Sequence, residues 1–293
     1  MSHKFDWVDA FTDQPFGGNG CAVVHDAVDL PAETCKAFTR ETGLVECTFL
    51  EASDVADMKV RYFMADREIP FAGHPTVASV ASMVDRGLAG EGALTLETGA
   101  GIIPIEVTIE NGVPLVAMTQ VAPKFGARLA TDLVAAVGGL NADDILGAPQ
   151  VVSTGLPFCI TVLKSQDALR RAKMDVDALQ ALRQSSGDAL ADVMEPFWVT
   201  LDGATDEGDT YSRLLLAPPL PPEDPFTGSA TGAMASYLWA NNLIQSPSFI
   251  AQQGHGMGRP GQAQVEVLGA KDHITGVKVA GPGYVVMRGE VAI

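Results

Sequence analysis

The stretch Pro70-Phe71-Ala72-Gly73-His74-Pro75-Thr76 returns almost letter for letter as Pro225-Phe226-Thr227-Gly228-Ser229-Ala230-Thr231, 155 positions later (70 to 225) in a chain of 293 residues. Pro, Phe, Gly and Thr coincide at that offset, as do Ala78 and Ala233, and both copies lead into small-residue segments of helical character, VASVASMV and GAMASYLW. A repeat at about half the chain length restricts the fold to two halves built on one plan. Each copy places Gly and then a polar side chain where a helix opens. The first N–H groups of a helix lack internal partners and carry the positive end of its dipole, and glycine lets a ligand approach the backbone closely. Two such starts facing one another across an inter-domain cleft would hold a carboxylate with amides alone. That matters in a chain whose formal net charge is −17.

The rest of the chain is strand-rich. KFDWVDAF and CAVVHDAV flank a turn at 14–20, and a helix is expected from Pro31 to Thr42, closed by Gly43. VECTFLEA and MKVRYFMA alternate as strands, and a helix follows from about Pro75 to Arg86. Further strands run to Met118, with Asn111-Gly112 as a hairpin turn. The second half offers short helices near 128–137 and 176–184, a helix from the second repeat copy to about Asn241, and closing strands such as QAQVEVLG and YVVMRGEVAI. There is no βαβα alternation, so the expected class is α+β rather than a doubly wound parallel sheet. The halves divide as 1–122 and 123–283, with 284–293 available as a strand to complete the first.

Composition narrows the function. The 19 Lys and Arg form no basic run, which argues against nucleic acid and anionic membrane as partners. No apolar run reaches the ~18 residues a membrane span needs, and MSHKFDWVDAF lacks a signal-peptide stretch. Cys21, Cys35, Cys47 and Cys159 form no CxxC pair and have no histidine at zinc-ligand spacing. A cytoplasmic protein without a metal is expected. GHGMGRPG contains a formal GxGxxG at Gly256, Gly258 and Gly261, but Pro260 interrupts it and strand-like QAQVEVLG follows, so a tight hairpin is expected there rather than a dinucleotide site. Ser229 lacks the GxSxG of a hydrolase elbow.

Five segments in order, VDAFTDQPFGGNGCAVV, TGLVECTFL, RYFMADREIPFAGHPTVAS, EDPFTGSATGAMASYL and QGHGMGRPGQAQVEV, resemble the phenazine-biosynthesis PhzF family, within the larger diaminopimelate-epimerase-like fold. The resemblance implies two pseudo-symmetric halves, each a curved, mostly antiparallel sheet wrapped around a central helix, with the active site between them. It implies a homodimer and no cofactor. The epimerases carry paired cysteines at the two glycine-rich helix starts; here His74 and Ser229 stand there, which disfavours two-thiol racemisation. By resemblance Glu46, in VECTFL, is the acid/base. His74 and Asp224 are its polar partners in catalysis, and Gly73, Gly228 and Ser229 bind a small anionic, carboxylate-bearing substrate.

The residues themselves are compatible with this. Glu46 lies between Val45 and Phe49 in a stretch that reads as a strand, where lost hydration would suit it to move a proton between carbons. Cys47 beside it should point to the opposite face. Each residue also has a structural use: Glu46 as a solvent-facing strand residue, Asp224 as a turn former before Pro225, His74 and Ser229 as helix N-caps. The resulting expectation is a cofactor-independent isomerase that shifts a proton within a small cyclic amino acid or carboxylate. The alternatives are a racemase, epimerase or dehydratase on the same scaffold, and a non-catalytic small-ligand-binding protein.

Overall fold

A computed structural model describes residues 2–190, 193–218 and 220–293, which form two compact units. Unit 1 comprises Met1–Met118 and Ala280–Ile293, and unit 2 comprises Thr119–Val279. In chain order the first unit contains β1 (Ser2–Ala10), β2 (Asn19–Val24), α1 (Ala32–Thr42), β3 (Cys47–Glu51), β4 (Met58–Phe63), β5 (Glu68–Ile69), α2 (Gly73–Asp85), β6 (Gly92–Thr98), β7 (Gly101–Glu110) and most of β8 (Val113–Val121). The second contains β9 (Lys124–Arg128), α3 (Thr131–Val137), β10 (Ile145–Ser153), β11 (Pro157–Leu163), α4 (Gln166–Arg171), α5 (Val176–Ser186), β12 (Met194–Thr200), β13 (Thr210–Leu215), β14 (Glu223–Asp224), α6 (Gly228–Ala240), β15 (Ser248–Gln253) and β16 (Gly261–Ala270). The long β17 (His273–Ala292) starts in unit 2 and ends in unit 1. The class is α+β, as the strand-rich sequence implies, and no helix among the described residues is long and apolar enough to cross a membrane.

In unit 1, α2 is the central helix. Every residue from His74 to Met83 is buried, because the sequence GHPTVASVASMVD has no charged side chain before its last residue. A helix that is buried on all sides must be apolar or small all round, and its hydroxyls must find partners. Thr76 Oγ1 donates to the Ala72 carbonyl at 2.7 Å, and Ser79 Oγ donates to Thr48 Oγ1 at 2.8 Å. β1, β2 and β3 pack on this helix. Gly283 of β17 passes so close that a Cβ there would lie 2.5 Å from that of Ala81. β2 is buried on both faces, which explains its unbroken run NGCAVV. Its outward side chains, Ala22 and Val24, join Cys47, Phe49 and Phe63 in a second cluster that α1 covers with Cys35 and Phe38. Cys47 therefore points into a core, as the alternation of strand side chains requires. α1 begins after Pro31 and stops at Gly43, whose φ of 68° suits glycine.

Unit 2 follows the same plan with α6 as its central helix. Gly228, Ala230 to Leu238 are buried, and β10, β11 and β16 pack on it. Its outer cluster is larger. α3, α4 and α5 bury Val134, Val137, Leu169, Leu179 and Leu182 with Trp198. The sequence reading contains no counterpart of α4, whose single short stretch QDALRR gives little periodicity to detect. Pairing within the units is mostly antiparallel, with parallel joins at β2–β3, β4–β6, β11–β12 and β13–β15.

The structural repeat is longer than the sequence repeat. β4 pairs with β5 through Tyr62↔Ile69 and Phe63↔Glu68, and β13 pairs with β14 through Leu214↔Asp224 and Leu215↔Glu223. Arg61 holds Glu68 with two bonds, 2.9 and 3.0 Å, and Arg213 holds Glu223 with two, 3.0 and 2.7 Å. The same clamp thus precedes both Pro-Phe turns. The glutamates keep the 155-residue offset (68 to 223) but the arginines do not (61 to 213), because the connections 64–67 and 216–222 differ by three residues. Arg213 Nη1 also donates to the carbonyls of Leu169 at 2.7 Å and Ala172 at 3.1 Å, tying the end of α4 to the sheet.

Removing one member of a buried ion pair strands the other. The Glu223 side chain is 10% exposed whereas that of Glu68 is 42% exposed. Arg213→Met should therefore lower stability in urea denaturation by about 3 kcal/mol, Arg61→Met by clearly less, and adding Glu223→Gln to Arg213→Met should recover part of the loss.

Candidate active site

In unit 1 the candidate residues gather at the first turn of α2. Ala72 is the N-cap, with extended backbone, and Gly73 and His74 are the first two helical residues. His74 is therefore not an N-cap: the helix begins two residues before the expected Pro75, and the proline occupies a first-turn position where its missing N–H costs nothing. The Gly73 and His74 N–H groups have no acceptor inside the helix.

His74 is almost wholly buried. Its Nδ1 lies 3.3 Å from Asn19 Nδ2 and 3.5 Å from Glu46 Oε2. Its Nε2 is buried and has no hydrogen-bond partner. Burial pulls the imidazole pKa down to about 3, with only the backbone of Gly20 working in the other direction. The ring is therefore neutral, and its contact with Glu46 is not an ion pair.

Glu46 stands one residue before β3, not within a strand as the sequence suggests, and its side chain is 15% exposed. The strand starts at Cys47, whose thiol lies 3.5 Å from Thr42 Oγ1. Burial raises the Cys47 and Cys21 thiols above their ordinary values, so neither is a thiolate.

Asn19 opens β2 after a tight connection from β1. There Gly18 has φ 48°, and a Cβ would meet the Ala10 carbonyl oxygen at 2.0 Å. Asp9 Oδ2 accepts the Phe16 N–H at 2.7 Å, which fixes the same loop. The sequence reading takes GGNG only as a turn; the asparagine's contact with His74 is the part it misses.

In unit 2 the equivalent start belongs to α6. Thr227 is the N-cap, and Gly228 and Ser229 are the first two helical residues, so Ser229 is not a capping serine either. Asp224 lies in β14 and accepts a short hydrogen bond from Thr227 Oγ1. Gln253 secures this entry. Its Oε1 accepts the Thr227 N–H at 3.0 Å and its Nε2 donates to the Asp224 carbonyl at 2.8 Å. Below the helix start, Gln120 Nε2 donates to the Gly228 carbonyl at 2.9 Å, and Thr154 Oγ1 donates to Gln120 Oε1 at 2.5 Å. Gly232 makes room for that amide, since a Cβ there would sit 1.9 Å from Gln120 Oε1.

GHGMGRPG is a hairpin between β15 and β16, with a short 3-10 turn at His255–Met257. A strand follows it where a dinucleotide site needs a helix. Gly254 has φ 82°, and a Cβ would lie 2.6 Å from the Pro225 carbonyl oxygen, so the hairpin buttresses the Asp224-Pro225 entry. Gln120, Thr154 and Gln253 are not in the sequence reading; single amides and hydroxyls on strands carry no spacing signal.

Glu46, His74 and Gly73 thus come together in unit 1, and Asp224, Gly228 and Ser229 in unit 2. No group of three or more His, Cys, Asp or Glu arranged to hold a metal ion occurs among the described residues.

The family model described as "PhzC-PhzF: Phenazine biosynthesis-like protein" matches residues 8–289. The chain is 31% identical over 297 aligned positions to "Uncharacterized isomerase YddE" of Escherichia coli (strain K12), covering 98% of this chain and 97% of that one. It is 30% identical to the "Trans-2,3-dihydro-3-hydroxyanthranilate isomerase" of Pseudomonas fluorescens, over 99% of this chain and 100% of the relative. Among solved structures, a PhzF-family phenazine biosynthesis protein of Bacillus anthracis superposes with TM-score 0.88 at 27% identity, over 100% of both chains.

The buried neutral His74 has a consequence for pH. Its folded pKa lies below the ordinary 6.5, so the unfolded chain takes up a proton first as pH falls. Stability due to this group is complete above 6.5 and declines as pH drops from 6.5 toward about 3. Urea titrations at pH 7.5 and 4.5 should differ by about 2 kcal/mol more in the wild type than in His74→Gln.

Proposed function

Because the chain belongs to the phenazine biosynthesis-like (PhzC-PhzF) family, we propose that it is a cofactor-independent isomerase that moves a proton between carbons of a small cyclic amino acid or carboxylate. The observation that carries this reading is the contact of Glu46 with neutral, buried His74, whose second nitrogen is left without a partner. The relatives named as isomerases support the reaction class.

Glu46 is assigned as the acid/base. Its carboxylate takes a proton from one ring carbon, the electron pair of that C–H bond shifts through the conjugated system, and Glu46 returns the proton to a second carbon on the same face. No redox partner is needed, because atoms and electrons balance within the substrate. His74 flanks the carboxylate. Asn19 Nδ2 can only donate, so Nδ1 accepts from it and the ring hydrogen sits on Nε2. Once Glu46 is protonated, its hydroxyl can donate to the same nitrogen.

Substrate binding is assigned to the helix starts. The free N–H groups of Gly73, and of Gly228 and Ser229, suit a carboxylate. Asp224, held by Thr227 and Gln253, suits an amine or hydroxyl. A homodimer is part of the same proposal, by analogy with the family.

The test uses trans-2,3-dihydro-3-hydroxyanthranilate, the substrate in the name of the Pseudomonas fluorescens relative, together with other cyclic amino acids. Glu46→Gln should keep the fold and ligand affinity and lower turnover at least about a thousandfold, within the range for loss of a general acid/base. Near-normal turnover in that variant would reject the assignment. Loss of optical purity with solvent deuterium at a single α-carbon would instead indicate racemisation.

A further inference from the structure

A cavity of about 320 Å³ in unit 1 is lined by Lys4, His25, Asp26, Arg86 and Leu88, and shares no residue with the Glu46–His74 site. Its floor is a buried charged cluster. Asp6 is completely buried, and Arg86 Nε and Nη2 donate to its two carboxylate oxygens, both at 2.6 Å. Ser82 Oγ donates to Asp6 Oδ2 at 2.6 Å. His25 Nε2 lies 2.7 Å from Ser82 Oγ and 3.2 Å from Asp6 Oδ2. Burial alone would raise the Asp6 pKa, but the hydrogen bonds from His25, Arg86 and Ser82 and the Arg86 charge bring it well below the ordinary carboxylate range.

These contacts fix the histidine tautomer. Asp6 is ionised and only accepts. Ser82 has one proton and spends it on Asp6. Both neighbours of His25 Nε2 are therefore acceptors, so Nε2 carries the hydrogen, and in the neutral ring Nδ1 carries a lone pair. His25 is only 4% exposed. Its Nδ1 has no protein partner among the described residues and, unlike His74 Nε2, is not sealed from solvent, which places it on the cavity wall.

The remaining groups sort into donors and acceptors. Arg86 Nη1 and the Lys4 ammonium make no hydrogen bond or ion pair with the protein among the described residues. The Asp26 carboxylate is likewise without a side-chain partner, while its carbonyl meets His3 Nδ1 at 3.0 Å and its backbone is held at φ 51°. Leu88 is 55% exposed. The cavity therefore offers two cations, two acceptors and one apolar side chain. The charges of Asp6, Arg86, Lys4 and Asp26 cancel, which does not favour a simple anion.

We propose that this cavity binds a free α-amino acid as its zwitterion. The carboxylate meets Arg86 Nη1 and Lys4, the ammonium donates to His25 Nδ1 and Asp26, and the side chain lies on Leu88. The volume is at the small end of the range for small-molecule sites, which fits a ligand of this size. Ser82 and Arg86 lie at the far end of α2 from His74, so an occupant would touch the same helix that carries the proposed catalytic turn. The binding claim does not depend on the isomerase reading.

Calorimetric titration of the full chain with each of the twenty common amino acids tests it. At least one should bind with Kd below about 1 mM. Lys4→Met and Asp26→Asn, both on exposed side chains, should each weaken that binding about tenfold, the size of one charged contact, and Glu46→Gln should leave it unchanged. The deaminated acid and the amino-acid amide should each bind at least tenfold more weakly than the parent amino acid. The proposal is overturned if none of the twenty binds at 10 mM, if Glu46→Gln abolishes binding that Lys4→Met preserves, or if the deaminated acid binds as well as the amino acid.

Discussion

Everything distinctive in this molecule depends on burying a whole helix. A helix covered on all sides needs small or apolar residues around its circumference, and α2 and α6 supply them. Its sides can be satisfied by packing and by hydroxyls that bond back to the helix or across to a strand. Its N-terminus cannot, because the first amides have no partner within it. Ala72 contributes no side-chain cap, and neither does Thr227, whose hydroxyl is committed to Asp224. The amides of Gly73 and Gly228 are thus left without a partner inside their helices by the same architecture that makes each unit compact. The glycines are needed for approach, and the residues beside them decide the chemistry.

The two units use this inheritance differently. In unit 1 the position after glycine is a histidine, desolvated and neutral, with a carboxylate at its edge. In unit 2 it is a serine, and the rigid elements are amides: Gln253 ties the strand to the turn, and Gln120 with Thr154 supports the first helical carbonyl. One start is built on a histidine beside a carboxylate and the other on side-chain amides. The arginine–glutamate clamp that both share sits just upstream, so the two units have the same support beneath different tips.

Much of this was legible in the sequence for physical reasons. Glycines at helix starts are conformational necessities, so the offset of 155 positions (70 to 225) survives as text. Asn111-Gly112 adopts the positive φ values its turn demands, 52° and 83°. What escaped reading depends on three-dimensional proximity alone. Glu68 and Glu223 match at the same offset but announce themselves only through arginines whose own spacing is shifted by an uneven turn. Asn19 reads as part of a glycine-rich turn until His74 is beside it. α2 starts two residues before the expected Pro75, because a proline marks the first turn of a helix without saying which residue in that turn it is. Glu46 fell just outside its strand for a related reason: apolar flanks report burial, not hydrogen-bonded pairing.

The return of β17 to unit 1 also governs the order in which the protein can be made. β1 pairs on one side with β2 and on the other with Gly283–Ala292, a strand made only after the whole of unit 2. At about 5–20 residues per second, roughly 15–60 s separate the emergence of β1 from that of its second neighbour. During that interval unit 2 can close completely while the nascent first unit carries an open hydrogen-bonding edge, of the kind that pairs with other chains when left uncovered. Until Gly283–Ala292 arrives that edge stays open, and α2 lacks the glycine-bearing strand that packs against Ala81.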